Sequence, residues 1–63
     1  MTTYTLYVHD GRYAVPTLLT IESRDDDGAR AHARRHLESS IHYHSVEIWD
    51  DERRVDTLTL DRG

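Results

Sequence analysis

Apolar and polar residues alternate with a period of two over four segments of the chain. Side chains of a strand point to opposite faces in turn, so this pattern predicts four β-strands. The segments are residues 3–9, 14–22, 41–50 and 54–60. Asp10-Gly11 separates the first two and is typical of a hairpin turn. In the last segment Val55 cannot share a face with Leu58 and Leu60 unless the strand contains a β-bulge.

The stretch from Asp25 to Ser40 has a helical period instead and is the only helix that the pattern predicts. At about 100° per residue, one face collects small and apolar side chains that can pack on a sheet. This face consists of Ala29, Ala33, His36, Leu37 and Ser40, with His32 at its margin. The residues from Ser23 to Asp27 supply candidates for the N-cap, and their negative charges suit the positive end of the helix.

The predicted element order is β-β-α-β-β, which is an α+β fold in a single domain over residues 1–63. A hairpin at each end and a right-handed crossover through the helix favour a four-stranded antiparallel sheet in the order 2-1-3-4. The helix then covers one face of that sheet. Pro16 has no backbone N–H and belongs at a sheet edge, where this order places the second strand.

One helix leaves the second face of the sheet uncovered, and the alternation places large side chains there. Those expected on this open face are Tyr7, Leu18, Tyr43 and Trp49, with Val55 as a further candidate. Exposed tyrosine and tryptophan are typical of protein-binding patches, because their rings bury a large area at low entropic cost. The other interpretation is that each ring only stabilises cross-strand pairs.

The composition excludes several classes of protein. The chain has 63 residues, a net charge of −4, no cysteine and eight basic residues, all of them arginine. Without cysteine there is no disulfide framework and no thiolate site. The N-terminal residues lack a signal-peptide pattern, and no apolar stretch approaches the ~20 residues that span a bilayer, so we expect a cytoplasmic protein without a membrane partner.

Charged residues form three groups along the chain. Two are acidic patches, Asp25, Asp26, Asp27 and Asp50, Asp51, Glu52, which could meet a basic surface of a partner or could be solvated. The third is a stripe of Arg30, Arg34 and Arg35 on the outer helix face, with Arg53-Arg54 as a second basic spot. The stripe could contact nucleic acid or could pair within the helix, as Arg34 with Glu38. The negative net charge argues against direct nucleic-acid binding.

The search for chemical motifs gives no catalytic residue, cofactor or metal site. His32 and His36 have the i, i+4 spacing of two metal ligands, and His42 and His44 could gather near the same helix end. However, no acidic third ligand is specified by spacing, and the helical pair lacks the glutamate of a zinc-protease motif. No serine lies in a nucleophile elbow and no carboxylate pair is placed for acid–base work, so we expect no enzyme.

The segment Ser-Val-Glu-Ile-Trp-Asp-Asp-Glu-Arg-Arg-Val, residues 45–55, follows an alanine-rich helix and resembles short bacterial proteins of the β-β-α-β-β type. The plan of the whole chain, small, acidic and free of cysteine, also resembles some anti-CRISPR proteins. That resemblance implies a phage-type inhibitor that blocks a CRISPR–Cas effector complex sterically and electrostatically, and it carries over no functional residue. The alternatives are a homodimer that buries Tyr7, Tyr43 and Trp49, and a nucleic-acid binder that uses the arginine stripe.

Overall fold

The computed structural model describes residues 1–60 and contains the predicted elements in the predicted order. They are β1 (Thr2–Asp10), β2 (Thr17–Ser23), α1 (Asp26–Leu37), β3 (Tyr43–Asp50) and β4 (Arg53–Thr59). The strands form a four-stranded sheet in the order β2-β1-β3-β4, and every neighbouring pair is antiparallel. The α+β fold and its strand order are therefore confirmed.

The connection between β1 and β2 is longer than the alternation predicted. Asp10 accepts hydrogen bonds from the backbone N of Arg12 at 2.8 Å and from the guanidinium of the same residue. These bonds hold a turn, and the ladder between β1 and β2 ends with Val8 opposite Thr17. Val15, which lies within the predicted second strand, is outside β2 and 73% exposed. β2 is an edge strand, as expected, but Pro16 lies immediately before it and not within it.

Helix α1 begins at an acidic N-cap. The side chain of Asp25 accepts a hydrogen bond from the backbone N of Gly28 at 2.8 Å, which satisfies one of the free N–H groups of the first turn. The helix ends at Leu37, three residues before the predicted end, and the hydroxyl of Ser39 donates to the carbonyl of His36 there. Within residues 1–60, no helix is both long and apolar enough to cross a membrane.

The core lies between α1 and one face of the sheet. Its buried apolar residues are Tyr4, Leu6 and Val8 of β1, Val46 and Ile48 of β3, and Ala29, Ala33 and Leu37 of α1. The three helical residues are four positions apart, so they lie on one side of the helix. Because two of them are alanine, the helix backbone can approach the sheet closely.

Two irregularities in strand pairing decide which side chains face the helix. Between β3 and β4, Ile48 pairs with Asp56 and Trp49 pairs with Arg54, so Val55 is an extra residue. Val55, Leu58 and Leu60 all pack against the core, and the bulge is what lets them share this face. Val55 is consequently not on the open face, where we had also considered it.

The second irregularity lies between β1 and β3. His9 pairs with Ser45 and Asp10 pairs with Tyr43, so His44 is the extra residue here. The prediction that Tyr43 points to the open face is therefore wrong, since one extra residue reverses the alternation. His42 and His44 do not alternate regularly with Val46, because β3 begins only at Tyr43 and His44 is the extra residue.

Candidate functional site

The sheet face turned away from α1, here called the open face, is covered by no helix among the described residues. Helix α1 packs on the opposite face against all four strands. Tyr7 lies on the open face between its neighbours Leu18 on β2 and Glu47 on β3. Trp49 is two residues further along β3 and therefore shares that face. Leu18 is 59% exposed.

Tyr7 and Trp49 form an edge-to-face aromatic pair. Their ring centroids are 6.2 Å apart and the ring planes meet at 80°. This geometry places the positive edge of one ring against the negative face of the other and favours a fixed arrangement of both. Each residue is half-buried, although no helix lies over either ring. The pair therefore presents a preformed aromatic surface.

A carboxylate beside this pair is held by two hydrogen bonds. Trp49 Nε1 donates to Glu47 Oε1 at 3.3 Å, and His9 Nε2 donates to Glu47 Oε2 at 2.9 Å. The hydrogen bond from His9 is the main reason why the pKa of Glu47 is lowered, and the one from Trp49 acts in the same direction against partial burial. Glu47 is thus an oriented, ionised acceptor at neutral pH.

These side chains border a concave site of about 330 Å³, here called the Trp49 site. It is lined by Tyr7, Pro16, Glu47, Trp49 and Asp51. Asp51 stands in the turn between β3 and β4 with φ of 58°, a left-handed conformation that aspartate tolerates better than most residues. Sequence reasoning missed Pro16, Glu47 and His9 at this place. The position of Glu47, two residues before Trp49 on one strand, was the signal that could have found it.

Tyr43 belongs to the other side of the sheet. Its ring stacks on His36 of α1, with centroids 5.2 Å apart and an angle of 20° between the planes. It packs against the core and lines no part of the Trp49 site. Of the four predicted binding residues, Tyr7, Leu18 and Trp49 remain on the open face.

The two acidic patches meet at one end of the molecule, where arginines neutralise much of their charge. Arg53 donates to Asp26 and to Asp50, at 3.3 and 3.0 Å. The hydroxyl of Tyr4 also donates to Asp26, at 2.8 Å. The Arg53 guanidinium is the leading cause of the lowered pKa of Asp26, followed by the Tyr4 hydroxyl.

The remaining acidic residues divide into two kinds. Asp25 caps α1 and Asp27 pairs with Arg30, so both have local structural roles. Asp51 and Glu52 are exposed and lie in no ion pair within residues 1–60. The free negative charge of the two patches is therefore concentrated in the turn between β3 and β4.

The arginine stripe is also partly occupied. Arg30 donates to Asp56 of β4 at 2.8 Å and to Asp27 at 2.7 Å, which ties the helix to the edge strand. Arg34 and Arg35 are exposed and form no ion pair in the described part of the chain. The pair of Arg34 with Glu38 that we considered is not among the ion pairs of residues 1–60.

The histidines do not converge. His36 is stacked on Tyr43, whereas the ring of His44 lies against Gly11 in the β1–β2 connection. His32 and His36 line a shallow depression of about 280 Å³ on the helix. In residues 1–60, no three histidine, cysteine or acidic side chains are grouped so that they could hold a metal ion.

Comparison of the chain with known protein families, with curated proteins and with solved structures finds no match.

Proposed function

We propose that the protein is a non-enzymatic interaction module that binds a partner protein through its open face. The observation that carries this proposal is the Tyr7–Trp49 pair, which lies on the sheet face without a helix and borders the Trp49 site. Rigid tyrosine and tryptophan rings in a concave setting are the commonest anchors of protein interfaces. The same proposal places the protein in the cytoplasm.

The chemistry of this face supports binding rather than catalysis. Glu47 is already hydrogen-bonded by His9 and Trp49, and its lowered pKa makes it a poor general acid at neutral pH. What the face offers is an aromatic surface with a fixed acceptor at its rim. Those are features of recognition.

The most concrete form of the proposal is an anti-CRISPR-type inhibitor whose partner is a CRISPR–Cas effector complex. The net charge of −4 supports contact with a basic surface such as a nucleic-acid groove. Since Asp26, Asp27 and Asp50 are paired with arginines, steric blocking through the open face has better support than blocking by the acidic patches. Direct binding of nucleic acid is not part of the proposal.

Two matched variants test the interaction module. Trp49→Ser removes the anchor, whereas Ile41→Ser removes a smaller apolar side chain that is 76% exposed outside the sheet. Tagged wild type and both variants are used to capture a partner from cells, which is then purified and its affinity measured. We expect Trp49→Ser to weaken binding at least tenfold and Ile41→Ser to leave it unchanged. Equal affinities of all three proteins would contradict the proposal.

The inhibitor form has its own assay. Wild type and Trp49→Ser are expressed in hosts with an active CRISPR–Cas system, and the survival of a targeted phage is counted. Protection of the phage by the wild type and its loss in Trp49→Ser are expected. If hosts with several effector types still destroy the targeted phage when the wild-type protein is expressed, the inhibitor form is contradicted. The interaction module is not affected by that result.

The alternative use of the open face is a homodimer. Tyr43 cannot take part in it as predicted, because its ring stacks on the helix. Light scattering of the purified protein distinguishes the two cases. A dimer that becomes a monomer in Trp49→Ser would assign the open face to self-association, and a strict monomer excludes it.

A further inference from the structure

We propose that the Trp49 site binds an arginine side chain presented by a basic segment of the partner protein. This inference rests on the proposed function and names the chemistry that the open face recognises. Four of the five residues that line the site carry either an aromatic ring or a carboxylate, namely Tyr7, Trp49, Glu47 and Asp51. No basic side chain lines it among the described residues.

The aromatic half of the site suits a cation. A guanidinium over the face of an aromatic ring is attracted by the negative charge of that face, and the attraction is strongest for tryptophan. The edge-to-face contact with Tyr7 fixes the orientation of Trp49, so little ordering is needed when a cation arrives.

The acidic half of the site supplies acceptors. Both oxygens of Glu47 already accept one hydrogen bond, from Trp49 and from His9, and each retains a second lone pair. The hydrogen bonds keep the carboxylate in one orientation at the rim of the site. Asp51 adds a second carboxylate that no arginine of the described chain neutralises.

Arginine fits this combination better than lysine. Its planar guanidinium can stack on a ring while its edge donates two parallel hydrogen bonds to a carboxylate, and an ammonium group cannot do both. A volume of about 330 Å³ lies at the lower end of the range of small-ligand pockets, about 300–1,000 Å³, which suits one side chain rather than a larger ligand.

A second copy of this chain is another possible source of the cation. Arg54 pairs with Trp49 across the β3–β4 ladder, is exposed, and lines no part of the site in its own chain. The experiment therefore includes a variant that separates the two sources.

The test uses the full-length protein and short peptides that carry arginine, lysine or citrulline at one position. Citrulline has the shape of arginine without its charge. Binding is followed through the fluorescence of Trp49, which is the only tryptophan of the chain, and through its indole N–H resonance. We expect saturable binding of the arginine peptide, weaker binding of the lysine peptide, and at least tenfold weaker binding of the citrulline peptide.

Matched variants assign the binding to the site. Glu47→Gln should weaken binding of the arginine peptide about fivefold or more. Glu22→Gln, the same change on an exposed β2 residue outside the site, should leave it unchanged. If Glu47→Gln fails to fold, Asp51→Asn takes its place, since asparagine tolerates the left-handed backbone at this turn.

Equal affinities for the arginine and citrulline peptides would overturn the proposal. So would an affinity for the arginine peptide that neither Glu47→Gln nor Asp51→Asn changes. The protein could also form a dimer that dissociates in Arg54→Ala and in the presence of the arginine peptide. That result would overturn the proposal and assign the bound arginine to a second copy of the chain. If a partner binds through Trp49 while the arginine peptide does not, the interaction module stands and this inference fails. If the peptide binds and no partner protein does, the preference of the Trp49 site for arginine stands, and the proposed function fails together with the partner segment named here.

Discussion

Leu37→Ala tests how much of the fold depends on one helical side chain. Leu37 is 2% exposed and is the only large apolar residue among the three that α1 buries, since the other two are alanines. The change removes about three buried carbon groups at ~0.8 kcal/mol each, or about 2.4 kcal/mol. The cavity left behind raises the expected loss to about 3–4 kcal/mol. A domain of this length has about 3–9 kcal/mol in total, so the variant should be at the limit of folding.

The measurement is urea denaturation followed by far-ultraviolet circular dichroism, which reports the helix and the sheet together. Leu18→Ala is the matched control, because it is the same chemical change at a residue 59% exposed on the open face, and it should cost about 0.5 kcal/mol. If Leu37→Ala begins to unfold without urea, both variants are compared in a stabilising osmolyte. Similar losses in the two variants would refute the assignment of the core to the helix side.

Two further predictions concern electrostatics. The Arg12 side chain lowers the pKa of Asp10 from 3.8 to about 2, so this contribution to stability is present above about pH 3.8 and is lost as the pH falls towards 2. The difference in unfolding free energy between wild type and Asp10→Asn should shrink over that window, as acid titration of both proteins will show. Arg53→Ala should raise the pKa of Asp26 towards its ordinary value, measured by nuclear magnetic resonance of the carboxyl carbon, whereas Arg54→Ala should leave it unchanged.

The fold was predictable because each local signal agreed with the others. Strict alternation defined β1, the alanine-rich stretch defined α1, and Pro16 required an edge position that the order 2-1-3-4 supplies. The boundaries were less predictable. The turn after β1 extends because the side chain of Asp10 binds the backbone and side chain of Arg12, and no hydrophobic pattern reports such a bond.

The residues of the open face were predicted only in part. The two bulges explain why Tyr43 and Val55 lie on the other face. The Val55 bulge was one of two alternatives that the sequence left open, because Val55 shares a face with Leu58 and Leu60 only through a bulge. The His44 bulge could not, since its neighbours are polar or aromatic and suit either face. Tyr43, which we predicted on the open face, therefore lies on the helix side and stacks on His36.

The negative charge of the acidic patches was predicted from the sequence, but the ion pairs between their aspartates and arginines were not. Asp26 and Asp50 are 24 residues apart in the sequence, and only the fold brings Arg53 between them. Ion pairs that join distant segments cannot be inferred from charge runs. The sequence therefore overestimated the free negative charge near the start of α1.

These corrections together bear on the kind of partner that the open face suits. A two-fold interface between two copies uses the same surface of each copy. A two-fold interface centred on Trp49 would therefore bring Glu47 and Asp51 of one copy close to those of the other. Like charges at short range are unfavourable unless cations separate them, and the arginine that pairs with Trp49 across the ladder is Arg54. A basic partner meets the two carboxylates without that repulsion. Under the proposed function, the negative charge offered to a partner is therefore at the rim of the Trp49 site rather than in the aspartate run that begins the helix.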